Sequence, residues 1–246
     1  MTITIDEKQY TCKPGEYILD IAKREGIKMP ALCHHGGLVG QGCCRVCIVE
    51  VEQSGRRNIV TACIYPVERE CKVFTNSENV IRQRKMILSL LHSLAPDSNE
   101  VSQLCKTHGA QKYERFITQQ SSKCILCGLC AKACESLGTG AISMAQRGIE
   151  KVVTTPYDEP SAVCVGCASC ATVCTTNAIE VSEGGGERKI WNRSFPFKYC
   201  KQCGAKIGTL AELMRSAKKA NAEIPELCEN CRKKTIADAL AETYGS

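Results

Sequence analysis

The chain has 246 residues, 20 of them cysteine, with 43% hydrophobic and only 5% aromatic residues. That length allows one to three small domains, and so few aromatics exclude a large aromatic core or a base-stacking platform. The formal charge is +6 with every cysteine counted as neutral; metal-bound cysteine is a thiolate, so the figure holds only until ligands are assigned.

In chain order, residues 1–5 alternate as a strand and Lys13-Pro14-Gly15 forms a turn. Helical spacing over 17–25 stops at Gly26, and 46–51 and 58–62 are strand-like on either side of Ser54-Gly55. Residues 79–95 carry Val80, Ile81, Ile87, Leu88, Leu91 and Leu94 at helical spacing before Pro96. A second short helix over 97–106 has an acidic cap and a stop at Gly109. Gly184-Gly185-Gly186 marks a turn or hinge, and 209–220 is expected to be helical. The basic clusters Arg82-Arg84-Lys85, Lys218-Lys219 and Arg232-Lys233-Lys234 are expected to be solvated helix faces.

Cysteine at this density indicates either a disulfide scaffold or a metal protein. Residues 1–7 show no basic or apolar leader, and no apolar run approaches the ~18 residues a membrane span needs. A cytoplasmic, reducing setting is therefore expected, and the thiols read as metal ligands.

Cys124, Cys127, Cys130 and Cys134 form C-x2-C-x2-C-x3-C, and Cys164, Cys167, Cys170 and Cys174 repeat it. A [4Fe–4S] cube needs four converging thiolates, and in two-cluster ferredoxins the fourth cysteine of each run serves the other cluster. One cube is thus expected on Cys124, Cys127, Cys130 and Cys174, the other on Cys164, Cys167, Cys170 and Cys134. Gly128 and Gly166 would let backbone approach the inorganic cores. The usual proline after the fourth cysteine is absent; Glu135 and Thr175 stand there. Two zinc sites are the alternative, disfavoured because zinc loops rarely place four cysteines so densely.

Near the C-terminus, Cys200, Cys203, Cys228 and Cys231 form two C-x2-C pairs, a pattern for a tetrahedral four-thiolate site holding zinc or an iron centre, either one iron or an Fe–S cluster. Cys33, Cys44, Cys47 and Cys63 have C-x10-C-x2-C-x15-C spacing, ambiguous by itself. Cys12, Cys43, Cys71 and Cys105 have no partner spacing and are expected to be buried thiols.

The first quartet gains meaning from its context: Pro30-Ala31-Leu32-Cys33, then Gly40-Gln41-Gly42-Cys43-Cys44-Arg45-Val46-Cys47, then Thr61-Ala62-Cys63-Ile64-Tyr65-Pro66. These segments, with Arg82-Gln83-Arg84-Lys85 and the doubled cysteine run, resemble the N-terminal part of the multi-cluster iron–sulfur subunit of complex I. They also resemble the diaphorase-side electron-transfer subunit of NAD(P)-linked [NiFe] hydrogenases and formate dehydrogenases. The resemblance runs from residue 1 to about residue 182. It implies a β-grasp fold with a [2Fe–2S] centre and selects Cys44, not Cys43, as second ligand. His34 and His35 are then loop residues beside the centre, not Rieske ligands. The family commonly has a further [4Fe–4S] site bound by one histidine and three cysteines after His-Pro-x-x-Cys. Here Ala95-Pro96-Asp97-Ser98 stands instead, and His92, Cys105 and His108 cannot supply that site, so a packed helical hairpin is expected.

The expected fold class is α+β: a β-grasp [2Fe–2S] domain over 1–78, a helical linker over 79–120, a two-[4Fe–4S] ferredoxin-like domain over 121–182 and a four-cysteine metal ribbon over 199–246. No P-loop, GxGxxG, nucleophile elbow or HExxH occurs, so no catalytic residue is expected. The resemblance implies a hetero-oligomeric electron-transfer subunit. It would sit between a flavoprotein NAD(P)H-binding subunit and a hydrogenase or formate dehydrogenase catalytic subunit. Ferredoxin is a further candidate partner, and an electron-bifurcating complex a further setting. The alternatives are a nucleic-acid-binding protein with iron–sulfur and zinc modules, which lacks interleaved aromatics, and a free multi-cluster ferredoxin.

Overall fold

The computed structural model describes residues 1–116 and 122–244. The first strands are β1 (Thr2–Ile5), β2 (Lys8–Thr11) and β3 (Glu16–Tyr17), followed by helix α1 (Ile18–Arg24). After a long loop come β4 (Ile48–Gln53), β5 (Arg56–Thr61), β6 (Pro66–Val67) and β7 (Lys72–Phe74). The main sheet has the order β2-β1-β7-β4-β5, with β1 and β7 parallel and the other pairs antiparallel. Alternation along β1 sends Ile3 and Ile5 into the core, where they meet Val49, Val51 and Val73 of the sheet and Ile18, Leu19 and Ile21 of α1. Burying an aliphatic side chain of that size contributes about 1.5–3 kcal/mol. Strand β4 begins at Ile48, not at residue 46, because Val46 and Cys47 stay in the cysteine loop, where Arg45 takes a positive φ of 58°.

Helix α2 (Glu78–Leu94) starts where the Ser77 hydroxyl accepts from the Val80 N–H at 3.3 Å, and Pro96 stops it. Helix α3 (Asn99–His108) is capped by Ser98 on the Val101 N–H at 3.2 Å, and Gly109 ends it in the left-handed conformation. The two pack together, with Leu88, Val101 and Cys105 buried between them; the Cys105 thiol donates to the Leu88 carbonyl at 3.4 Å. Arg84 departs from the solvated face expected of its basic cluster: it is only 2% exposed.

Helix α4 (Leu129–Ser136), the hairpin β8 (Ser143–Ala145) and β9 (Val152–Thr154), and the one-turn α5 (Ser169–Thr172) carry the doubled cysteine runs. An antiparallel meander follows, unforeseen over 187–199: β10 (Ser182–Gly184), β11 (Glu187–Ile190), β12 (Arg193–Tyr199) and β13 (Lys206–Thr209). Gly185 and Gly186, both at positive φ, make its first turn. Helix α6 (Leu210–Ala220) is capped by Thr209 and lies back on the cysteine runs; Lys219 donates to the Leu137 carbonyl at 3.0 Å and Arg215 to that of Gly138. These cations meet the orphan carbonyls at the C-terminal end of α4. Helix α7 (Glu229–Tyr244) is exposed along its length beyond Cys231. No described helix is long and apolar enough to cross a membrane.

Candidate metal centres

The long loop between α1 and β4 gathers Cys33, Cys44 and Cys47, and Cys63 joins them after β5; all four are at most 4% exposed. The Cys44 N–H points at Cys33 Sγ at 3.3 Å. Hydrogen bonds from the neighbouring thiols of Cys43, Cys44 and Cys63 hold the Cys33 thiol far below its ordinary range. The cost falls on its neighbours. A hydrogen bond to Cys33 and burial push Cys44 up, and hydrogen bonds to Cys33 and Cys47 do the same to Cys63. A hydrogen bond from Cys63 lowers Cys47 to about 7 as well, so two thiolates form readily in this pocket, and Cys44 and Cys63 require a cation to replace the lost water. That donor set fits an iron centre.

Arg84 reaches the same loop from α2. Its guanidinium donates to the carbonyls of Val46 (3.1 Å), Ile48 (2.7 Å) and Thr75 (3.1 Å) and to Asn76 Oδ1 (3.3 Å), so its partners bracket Cys47 and none is a carboxylate. His34 Nε2 lies 3.3 Å from Asp20 Oδ1 of α1, and His35 Nδ1 accepts from the Gly37 N–H of its own loop.

The doubled runs exchange their last cysteines. One cavity is lined by Cys124, Cys127, Cys130 and Cys174, another by Cys164, Cys167, Cys170 and Cys134. Backbone N–H groups point at the sulfurs: Leu126 to Cys124 (3.4 Å), Ala178 to Cys174 (3.3 Å) and Ala141 to Cys134 (3.2 Å). Burial pushes the Cys127 thiol up to about 11 and that of Cys130 up to about 12. Thiolates so placed need a metal's positive charge close by.

Gly128 and Gly166 both take a positive φ, 75° and 67°, that favours glycine, and at Gly166 the Phe195 ring also leaves no room for a side chain. A Cβ on Gly166 would stand 2.4 Å from the Phe195 ring, and one on Gly128 would stand 2.7 Å from Met144 Cε and 3.2 Å from Gln41 Oε1. The second cavity is closed by the meander. Trp191 Nε1 donates to Cys170 Sγ at 3.5 Å, and Arg193 donates to the carbonyls of Ser161 (2.8 Å), Ala162 (3.0 Å) and Cys164 (3.3 Å). Neither residue stood out in the sequence, because only Ile190 and Phe195 of this stretch are buried apolar residues.

The C-terminal quartet is tighter. The Sγ atoms of Cys200, Cys203, Cys228 and Cys231 all lie within 4.8 Å of one another, and Cys203 and Cys228 are 3.6 Å apart. A tetrahedron with metal–sulfur bonds of 2.3 Å has edges of about 3.8 Å, so the set fits a single ion. Backbone N–H groups, that of Cys228 foremost, lower the Cys200 thiol to about 6, whereas the hydrogen bonds that Cys231 donates to its neighbouring thiols, Cys203 first, raise Cys231 to about 12. Of the four unassigned cysteines, Cys12, Cys71 and Cys105 are buried, but Cys43 is exposed and its thiol donates to the Cys127 carbonyl at 3.2 Å.

Residues 1–78 match the family model of the 2Fe-2S iron-sulfur cluster binding domain, and residues 123–178 that of the 4Fe-4S dicluster domain. This is an iron–sulfur protein. It is 33% identical over 210 residues to the NADP-reducing hydrogenase subunit HndD of Solidesulfovibrio fructosivorans, a match covering 73% of this chain and 36% of that protein. It is 25% identical over 229 residues to a subunit of the NADH-quinone oxidoreductase of Rhizobium meliloti (strain 1021), covering 82% of this chain and 26% of that one. A chain of an NAD+-reducing [NiFe]-hydrogenase, solved in the H2-reduced state, superposes with a TM-score of 0.55 at 28% identity, covering 63% of this chain and 74% of that chain. The iron–sulfur protein thus spans about a third or less of these two curated relatives. Its C-terminal metal quartet lies beyond both family models.

Proposed function

We propose that this iron–sulfur protein is an electron-transfer subunit. It would relay electrons between a flavoprotein NAD(P)H-oxidoreductase subunit and a hydrogenase or formate dehydrogenase catalytic subunit. Cys33, Cys44, Cys47 and Cys63 would hold a [2Fe–2S] centre in a β-grasp domain over 1–78. Cys124, Cys127, Cys130 and Cys174 would hold one [4Fe–4S] cube, and Cys134, Cys164, Cys167 and Cys170 a second, in a domain over 121–182. The four-cysteine segment over 199–246 would hold one zinc or iron ion. The observation that carries this reading is the exchange of fourth cysteines between two adjacent cavities, an arrangement suited to a cube in each.

Such centres supply one-electron redox chemistry with no acid, base or nucleophile from the protein. The chain's own residues exclude water, aim N–H groups at sulfur and set charge around each site. The paired helices α2 and α3 would take the place of the family's one-histidine, three-cysteine site.

Anaerobic reconstitution of the full chain followed by dithionite reduction tests the reading by electron paramagnetic resonance. One [2Fe–2S] signal, lost selectively in Cys44→Ser, together with two cube signals is expected. A chain that takes up zinc alone at all four quartets would overturn it. Affinity purification from the native host should recover a flavoprotein and a hydrogenase or formate dehydrogenase subunit; recovery of the chain by itself contradicts the partner assignment.

A further inference from the structure

Two hydrogen bonds join the loop of the first quartet to the first cube cavity, and neither uses a proposed ligand's side chain. The Thr175 hydroxyl donates to the Leu32 carbonyl at 2.7 Å, and the Cys43 thiol donates to the Cys127 carbonyl at 3.2 Å. Each bond links a residue one position from a proposed ligand, Thr175 beside Cys174 and Cys43 beside Cys44, to the other loop. Leu32 precedes Cys33, and Cys127 is itself a proposed ligand. The cores run together as well: Leu32, Cys33 and Cys44 share one buried cluster with Ile125, against which Cys127 packs. Leu38 from the first loop packs on Leu129 and Val173, which flank the first cube cavity.

Thr175 stands where the ferredoxin run usually has proline. Proline has no side-chain donor, so the departure from the motif creates the bond to Leu32. Cys43 is the exposed one of the four thiols outside the quartets; its sulfur also neighbours that of Cys33, and once Cys33 binds metal its single S–H serves the Cys127 carbonyl. It thus stands between the two sites, touching both.

We propose that Cys43 and Thr175 are positioning residues that staple the [2Fe–2S] site to the first cube site and so set electron exchange between these two centres. The inference rests on the cluster assignment above. The exchange is a one-electron step in which one centre is oxidised as the other is reduced; no proton moves and no bond to Cys43 or Thr175 is made or broken. The second cube, enclosed by the meander, has no such bond to the first loop among the described residues.

The test uses the full reconstituted chain as wild type, Thr175→Val, Thr175→Ser, Cys43→Ala and the double variant Thr175→Val/Cys43→Ala. Iron and sulfide content is measured first, then two readouts. One is the relaxation enhancement of the [2Fe–2S] signal by the reduced cube; the other is the rate of equilibration between the two centres after flash reduction. With cluster content unchanged, the double variant should lose the enhancement and slow equilibration by about tenfold or more, because small misplacements are costly in rate. Thr175→Ser, which keeps the donor, should behave as wild type. Unchanged enhancement and rate in a fully loaded double variant overturn the staple. If the double variant loses cube iron, Cys43→Ala decides, since this residue lies outside every proposed quartet: wild-type behaviour in it overturns the role of Cys43. A wild-type chain lacking either kind of cluster refutes the underlying assignment instead.

Discussion

At the scale of single residues, Arg84 has the most unusual environment. Its guanidinium is buried against carbonyl oxygens around Cys47, and burial lowers its pKa while the Cys47 thiolate raises it. Burying a cation with no carboxylate among its hydrogen-bond partners is costly unless other negative charge lies close, and the proposed four-thiolate [2Fe–2S] centre would provide that charge. Arg84→Gln should therefore shift the first centre to a more negative potential, leave both cubes unshifted and destabilise the fold by about 2–4 kcal/mol. Spectroelectrochemistry and denaturant melts check both effects; equal shifts at all three centres would contradict a local role. Trp191 would act on the proposed second cube through its N–H on Cys170 Sγ. Trp191→Phe removes that hydrogen bond, so the potential of this cube alone should fall at unchanged iron content. Sequence pattern could expose neither residue: a basic helix cluster ordinarily faces water, and a tryptophan among charged neighbours carries no periodic signal.

Among the elements, legibility followed the strength of the local rule. Strand β1, the hairpin β4–β5 and helices α2, α3 and α6 were readable because alternation, helical spacing, the Pro96 stop and the left-handed stop at Gly109 act over few residues. The meander was not, because Glu187-Arg188-Lys189 occupies a strand and its pairing depends on the cube domain it covers. The doubled cysteine run read more clearly than any strand, since cluster ligation imposes spacing directly. Cys43 is exposed where burial is expected, and the pattern of the chain alone does not show its partner, the distant carbonyl of Cys127. Helix α7 makes its own prediction. It leaves the four-cysteine site exposed, with Ile236, Leu240 and Tyr244 in solvent, so it has little packing of its own. Removing the C-terminal metal with a chelator, or substituting Cys228→Ser, should abolish amide-exchange protection over 229–244 and leave the protection of β1, β4 and α2 intact. Loss of protection across the whole chain would contradict a local site.

For the whole molecule, the charge changes meaning. The +6 counts twenty neutral cysteines, whereas an oxidised four-thiolate cluster contributes roughly −2, so three clusters bring the sum to about zero. Arg84 and Arg193 are turned inward onto carbonyls of the cysteine-bearing domains, and Arg215 and Lys219 reach such carbonyls at the surface. The surplus is therefore largely counter-charge, and nucleic acid is not needed to explain it. Metal stoichiometry of the anaerobically purified full chain tests the central claim most directly. The account predicts about ten iron and ten sulfide per chain, from one [2Fe–2S] and two [4Fe–4S] centres, with one further zinc or iron ion lost in Cys228→Ser. About four zinc per chain with no acid-labile sulfide would contradict it.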